Sequence, residues 1–215
     1  MLAAAVSART GDSVCDLGAG VGAASLCLAA RVAGLHITAV EIDPELAALA
    51  QANAERNAHA QSFKTVVADV LKRPRVLPRQ AFHQVLTNPP FHDVERGTRA
   101  LAAAKARATS AHARELVEWL RFARALVRPK GVVTVILPVE QLPAALEALA
   151  PGGQGVEIVP LWPKDGEPAK RLIIRVRMNA NAPLVVRPGL VLHGKDGKPT
   201  EAAEAVLRHG AALTT

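Results

Sequence analysis

V-C-D-L-G-A-G-V-G, residues 14–22, is the stretch from which the rest of the chain can be read. V-C-D-L reads as a short apolar strand, and Val21 to Ala33 has the small, apolar texture of a helix. Between them, Gly18 and Gly20 let the backbone turn tightly and pass close to a ligand. The following helix offers free N–H groups and the positive end of its dipole. A strand that runs through a glycine-rich turn into a helix opens a doubly wound α/β sheet. Gly18, Gly20 and Ala23 also satisfy the dinucleotide fingerprint G-x-G-x-x-G/A, so the turn alone leaves its ligand open.

The alternation continues downstream. H-I-T-A-V at 36–40 is a strand. Asp43 is a good N-cap with Pro44 at the first helical position, so a helix runs from there to about Asn57. T-V-V-A at 65–68 and Q-V-L-T at 84–87 are strands. Ala111 to Val127 is helical, with Trp119, Leu120, Ala123 and Leu126 near one face. Gly131 ends the connection, and V-V-T-V-I-L at 132–137 is a near-continuous apolar strand of the kind buried on both faces in parallel sheets. Leu142 to Ala150 forms a helix, followed by strands V-E-I-V at 156–159 and R-L-I-I-R-V-R at 171–177, joined by a long exposed loop. The tail carries a short strand around Leu190 to His193, then a helix capped by Thr200 and stopped by Gly210. This predicts one α/β domain over 1–215 with a doubly wound, mostly parallel sheet: a core at 13–178 and a C-terminal extension at 179–215.

An acidic residue stands at the end of each of the first three strands. Glu41 can accept hydrogen bonds from both hydroxyls of a ribose. Asp16 lies two positions before the first glycine, where a pyrophosphate is repelled and an ammonium group is welcome. Asp69 is placed to accept from the exocyclic amine of an adenine. The three suit a cationic, ribose-bearing adenine ligand better than a dinucleotide.

The sharpest signal is N-P-P-F at 88–91, directly behind the fourth strand at the carboxyl end of the sheet. Two prolines remove two N–H donors and stiffen the backbone. The Asn88 side-chain oxygen and the Pro89 carbonyl can converge on a planar –NH2 and steer its lone pair toward an incoming methyl group. Phe91 offers a flat face for a flipped-out base.

Together these motifs resemble class I S-adenosylmethionine methyltransferases with the N-P-P-[YF] signature. Within that superfamily the chain is similar to the bacterial tRNA adenine-N6 methyltransferases that modify an anticodon-loop adenosine of a valine tRNA. The resemblance implies a Rossmann-like, seven-stranded sheet whose last strand is antiparallel, with S-adenosylmethionine as cofactor. It implies a cofactor set of Asp16, Gly18, Ala19, Gly20, Glu41, Ile42, Asp69, Val70 and Asn88, and a catalytic set of Asn88, Pro89, Pro90 and Phe91. Family members usually carry some tens of residues before the first strand. Only about a dozen precede Val14 here, so the expectation is a chain shortened at its N-terminus. His83 stands where an Asp is common and reads as a surface substitution without a role.

The signature leaves the substrate open. Enzymes acting on the side-chain amide of glutamine in release factors share it, as do DNA adenine and cytosine-N4 enzymes. A catalytically silent binding protein that kept the fold is a third reading. The net charge of +7 and pI near 10.0 favour nucleic acid over peptide. Only 3% of residues are aromatic and none is tyrosine, which argues against a single-strand stacking groove and for a folded RNA, with tRNA expected, gripped through its phosphates. The chain is too short to hold a sizeable DNA target-recognition domain.

His112 is placed to line an acceptor pocket, and Trp162 and Lys164 are candidates for substrate contact. None of the seven histidines has H-x-x-x-H or H-E-x-x-H spacing, so no metal site is expected. The apolar patch Leu2 to Val6 is shorter than a secretory core of about 7–15 residues, and no run approaches the roughly 20 apolar residues of a membrane span. A cytoplasmic protein is expected, with Cys15 and Cys27 as buried thiols.

Overall fold

The computed structural model describes residues 1–90 and 102–213, with side chains for 1–90 and 112–213. The sheet runs β3-β2-β1-β4-β5-β7-β6, with β1 Ser13–Leu17, β2 His36–Glu41, β3 Phe63–Val67, β4 Phe82–Thr87, β5 Val127–Pro138, β6 Val156–Lys164 and β7 Arg171–Arg177. β1 to β5 are parallel, and β7 enters antiparallel between β5 and β6. The seven-strand expectation is met by these elements. Two short strands, β8 (Val185–Val186) and β9 (Leu190–His193), then add to β6 in parallel and make nine among the described residues.

Alternation along β5 explains how both faces are covered. Val133, Val135 and Leu137 join Cys15, Leu17 and Val85 under α4 (Ala102–Leu126) and α5 (Leu142–Leu149). On the opposite face, Val14, Ile37 and Leu86 pack with α1 (Leu2–Ala5), α2 (Ala23–Arg31) and α3 (Pro44–Arg56). Ala47, Ala50 and Ala54 are the buried positions of α3, at the spacing of one helical stripe. A third cluster joins Ala4 and Ala5 of α1 to Val159, Leu161, Ile173, Leu190 and Leu213.

Several local expectations change. The helix expected from Val21 begins at Ala23, because Gly22 takes a left-handed φ of 81° as its cap. A Cβ there would meet Phe63 and Ala50 at 3.3 Å. β6 runs through Pro160-Leu161-Trp162-Pro163, so the exposed turn before β7 is much shorter than the sequence suggests. Pro160 is tolerated because it falls between the stretches of β6 that pair with β8 and β9. His83 is half-buried, not a bystander: its Nδ1 accepts from Ser13 N–H at 3.1 Å and its Nε2 lies 3.8 Å from Asp12, tying β4 to the start of β1. Cys15 is buried as expected, whereas Cys27 is exposed because it falls on the outer side of α2.

Candidate active site

The candidate residues gather at the carboxyl ends of β1, β2 and β4. Asp16 lies in the central strand, paired with Ala39 and Leu86. Its carboxylate is buried and accepts from the Ser25 hydroxyl. Burial pushes its pKa up to about 6; the Glu41 charge adds to the rise, and Ser25 opposes it.

Glu41 is the junction of three backbone segments. Its Oε2 accepts from Gly20 N–H at 2.8 Å, and its Oε1 from Ile42 and Asp43 N–H at 2.8 and 3.1 Å. Its main-chain carbonyl takes Ala68 N–H at 2.9 Å, while Gly18 and Ala19 donate to the Val40 carbonyl at 2.9 and 3.0 Å. Gly18, Ala19, Gly20, Glu41 and Ile42 are thereby tied together at the end of β2, with Asp16 in the adjoining strand β1 and Asp69 and Val70 immediately beyond Ala68. Asp43 caps α3, as its position before Pro44 predicts, accepting from Glu45 and Leu46.

Asp69 does not end a strand, since β3 stops at Val67. It caps the 3-10 turn Val70–Lys72, with Oδ1 accepting from Leu71 N–H at 2.9 Å and Oδ2 3.5 Å from Lys72 Nζ. Val70 is buried, while Ile42 is 62% and Leu71 41% exposed, leaving two apolar side chains open at the strand ends.

Asn88 and Pro90 are exposed, and Pro89 is buried. Phe91 lies outside the described residues. Thr87, directly before them, has no solvent exposure. Its Oγ1 donates to the Leu17 carbonyl at 2.7 Å and accepts from Trp119 Nε1 at 3.0 Å. One hydroxyl thus joins the end of β1, the end of β4 and the middle of α4. Gly18 takes φ +72°, and a Cβ there would lie 3.1 Å from the Trp119 ring. Pro89, Pro90, Trp119, His112, Glu115 and Leu71 line a small cleft beside the loop. His112 Nδ1 sits 3.6 Å from Glu115 within it.

Sequence reasoning placed Trp119 only near one face of its helix, and the roles of Thr87 and Ser25 escaped it. One available signal was the scarcity of aromatics, which makes an indole on the helix behind the motif unusual. Trp162 and Lys164, read as loop residues, lie in β6; Trp162 Nε1 donates to Pro188 O at 2.9 Å and so holds the tail.

Residues 1–116 match the methyltransferase small domain family. A tRNA1(Val) (adenine(37)-N6)-methyltransferase of Actinobacillus pleuropneumoniae serotype 7 is 28% identical over 205 residues, covering 94% of this chain and 83% of the relative. The protein of the same name from Shewanella amazonensis is 28% identical over 200 residues, covering 92% and 82%. Among solved structures, a predicted O-methyltransferase from Agrobacterium tumefaciens aligns with a TM-score of 0.79 at 25% identity, over 100% of this chain and 97% of its own. These names agree on methyl transfer and differ on the accepting atom. With more than half of its length matched, the chain belongs to the methyltransferase small domain family.

Proposed function

We propose that this methyltransferase acts on the exocyclic N6 amine of adenine in RNA, with tRNA as the substrate and S-adenosylmethionine as the methyl donor. The observation that carries the reading is the Asn88-Pro89-Pro90 loop, pinned through Thr87 to the strand that leads into the acidic glycine turn. The donor set fits the cofactor: Gly20 has no neighbour within 4 Å of where a Cβ would stand, and Asp16 is a buried acid that a cation would stabilise. When bound, S-adenosylmethionine supplies a methyl group on a cationic sulfur.

The chain's own residues do the rest. Asp16 would hold the cofactor's ammonium group. Glu41 already accepts three backbone N–H groups, and a carboxylate has about four acceptor positions. It therefore serves one ribose hydroxyl well, not the two that its position in the sequence suggests. Asp69 would keep acceptor capacity for the adenine amine, and the exposed Ile42 and the Val70 backbone would supply further contacts. Asn88 is open to solvent and free to accept from a base amine together with the Pro89 carbonyl. That pair holds the amine's lone pair on the line of transfer, and the released proton passes to solvent. Phe91 is proposed as the stacking face. His112 sits at the mouth of the cleft beside Pro89 and Pro90, where the acceptor base would lie.

The test is transfer of labelled methyl from S-adenosylmethionine to total tRNA, followed by nucleoside analysis. N6-methyladenosine is the expected product. Label appearing instead in the glutamine of a release factor, or in neither pool, overturns the reading.

A further inference from the structure

The opposite end of the sheet carries a feature that methyl transfer does not use. Phe82 pairs with Val127 and Gln84 with Val132, so residues 128–131 leave the ladder as a protruding corner. It stands five residues along β4 from Thr87, or roughly 17 Å at about 3.3 Å per residue. Two open clefts flank it, one on each face of the sheet. A cleft of about 320 Å³ is lined by Arg79, Arg121 and Arg124 with Asn179. A second, of about 420 Å³, is lined by Arg175, Arg177 and Arg187 with Glu157. Arg128 and Lys130 project from the corner between them and are exposed.

The charge here is poorly offset. Glu118 and Glu147 pair with Arg121, and Glu157 is shared by Arg175 and Arg187. Among the described residues, no carboxylate pairs with Arg79, Arg124, Arg128, Lys130 or Arg177. Five unpaired cations around one corner repel each other, and a bound polyanion relieves that repulsion. The backbone is held in an unusual shape here. Gln80, Lys130 and Asn179 take φ of 52°, 65° and 55°, three of the five non-glycine left-handed residues described, and all lie at this corner. Arg177 Nη1 donates to the Lys130 carbonyl at 3.1 Å, which fixes the cation over the bend. At Gly131 a Cβ would meet the His83 carbonyl at 2.7 Å, so the bend can approach β4 only with glycine there.

We propose that this corner is a second RNA-binding surface, whose paired clefts seat backbone phosphates of a folded RNA while the target base lies at the opposite end of the sheet. The proposal rests on the RNA reading above. Arginine forks match phosphate geometry, and the scarcity of aromatics suits grip by phosphate contacts over base stacking.

The experiment measures total tRNA affinity against salt for wild type, for Arg124→Glu with Arg177→Glu, and for a control of equal charge change, Arg56→Glu with Lys64→Glu, on α3 and on the far edge strand β3. Product (S-adenosylhomocysteine) binding by calorimetry and tRNA methylation are read in parallel. The corner variant should lose at least about tenfold in tRNA affinity and flatten the salt slope by about 0.7–0.9 for each phosphate that is no longer neutralised. The control should lose less than about threefold, and product affinity should hold in both. Arg124→Gln with Arg177→Gln, a milder change, should show the same ranking with a smaller loss. Equal loss in corner and control variants, or none in either, overturns this surface while tRNA methylation by the wild type leaves the substrate reading standing. A wild type that neither binds nor methylates tRNA ends both.

Discussion

Asp16 must ionise in a place that water barely reaches. It is 2% exposed, and its carboxylate accepts a hydrogen bond from the Ser25 hydroxyl. Its pKa therefore rises from 3.8 to about 6. Between those values the folded state holds a proton that the unfolded state has lost, so stability falls as pH rises through the window and levels above it. Asp16→Asn should abolish that decline and gain on the order of 2–3 kcal/mol at pH 7 relative to wild type, checked by denaturant titrations at pH 4 and 7. Binding should show the reverse trend. The ammonium needs the charged carboxylate, so affinity for S-adenosylhomocysteine should weaken below pH about 6, approaching tenfold per unit, and Asp16→Asn should be weak at every pH. Calorimetry that finds wild-type affinity flat from pH 5 to 7 removes Asp16 from the cofactor site. Asn88 answers to a different measurement. Asn88→Ala should lower single-turnover methylation on the order of 10²–10³-fold with product binding intact, since it removes one preorganised acceptor. These residues were legible because their chemistry is local: an acid beside a glycine turn, an amide before two prolines. His83 and Cys27 were misread because their surroundings come from other elements, which periodicity along one segment does not report.

At the scale of elements, the strands were legible wherever an apolar run meets a parallel neighbour. β1, β2, β4 and the inner part of β5 fall within two residues of their expected bounds. β6 was not, because its second half contains two prolines that normally argue against a strand, and the neighbours that tolerate them lie 30 residues on. The missing piece of the site was likewise a contact between elements. Trp119 reaches from α4 to Thr87, and Thr87 reaches Leu17, so hydrogen bonds tie the start of the glycine turn to the start of the Asn88 loop. Trp119→Phe keeps the ring against Gly18 and removes the N–H. We expect about 0.5–1.5 kcal/mol of lost stability. We also expect a fall in kcat of roughly 3–10-fold, up to about 1.4 kcal/mol in the barrier, with KM for tRNA little changed. A purely structural indole would lower stability without moving kcat in the folded fraction, and that result would separate the two roles.

Over the whole molecule, the division into a core at 13–178 and an extension at 179–215 can be tested against packing. The extension does not sit apart. β8 and β9 complete the edge of β6, and Gly155 N–H donates to the Ala182 carbonyl at 2.7 Å. Leu213 N–H donates to the Ala4 carbonyl at 2.8 Å, so the tail closes onto the first helix. Leu190 and Leu213 share a cluster with Ala4, Ala5 and Ile173, and burying two leucines contributes about 3–6 kcal/mol, a large share of a typical domain's net stability. The extension should therefore unfold with the core. The two tryptophans report on the two regions: Trp119 at the Asn88 loop, and Trp162 on β6, bonded to Pro188 and in van der Waals reach of Gly189. In Trp162→Phe only Trp119 emits, and in Trp119→Phe only Trp162 does. For each variant the fluorescence midpoint in urea should coincide with that from far-ultraviolet circular dichroism of the same protein, because a single cooperative unit gives every probe one transition. If Trp162 emission shifted at clearly lower urea than the dichroism while Trp119 did not, the tail would be a weakly docked appendage. The contacts between Leu213 and Ala4 would then contribute little to the fold.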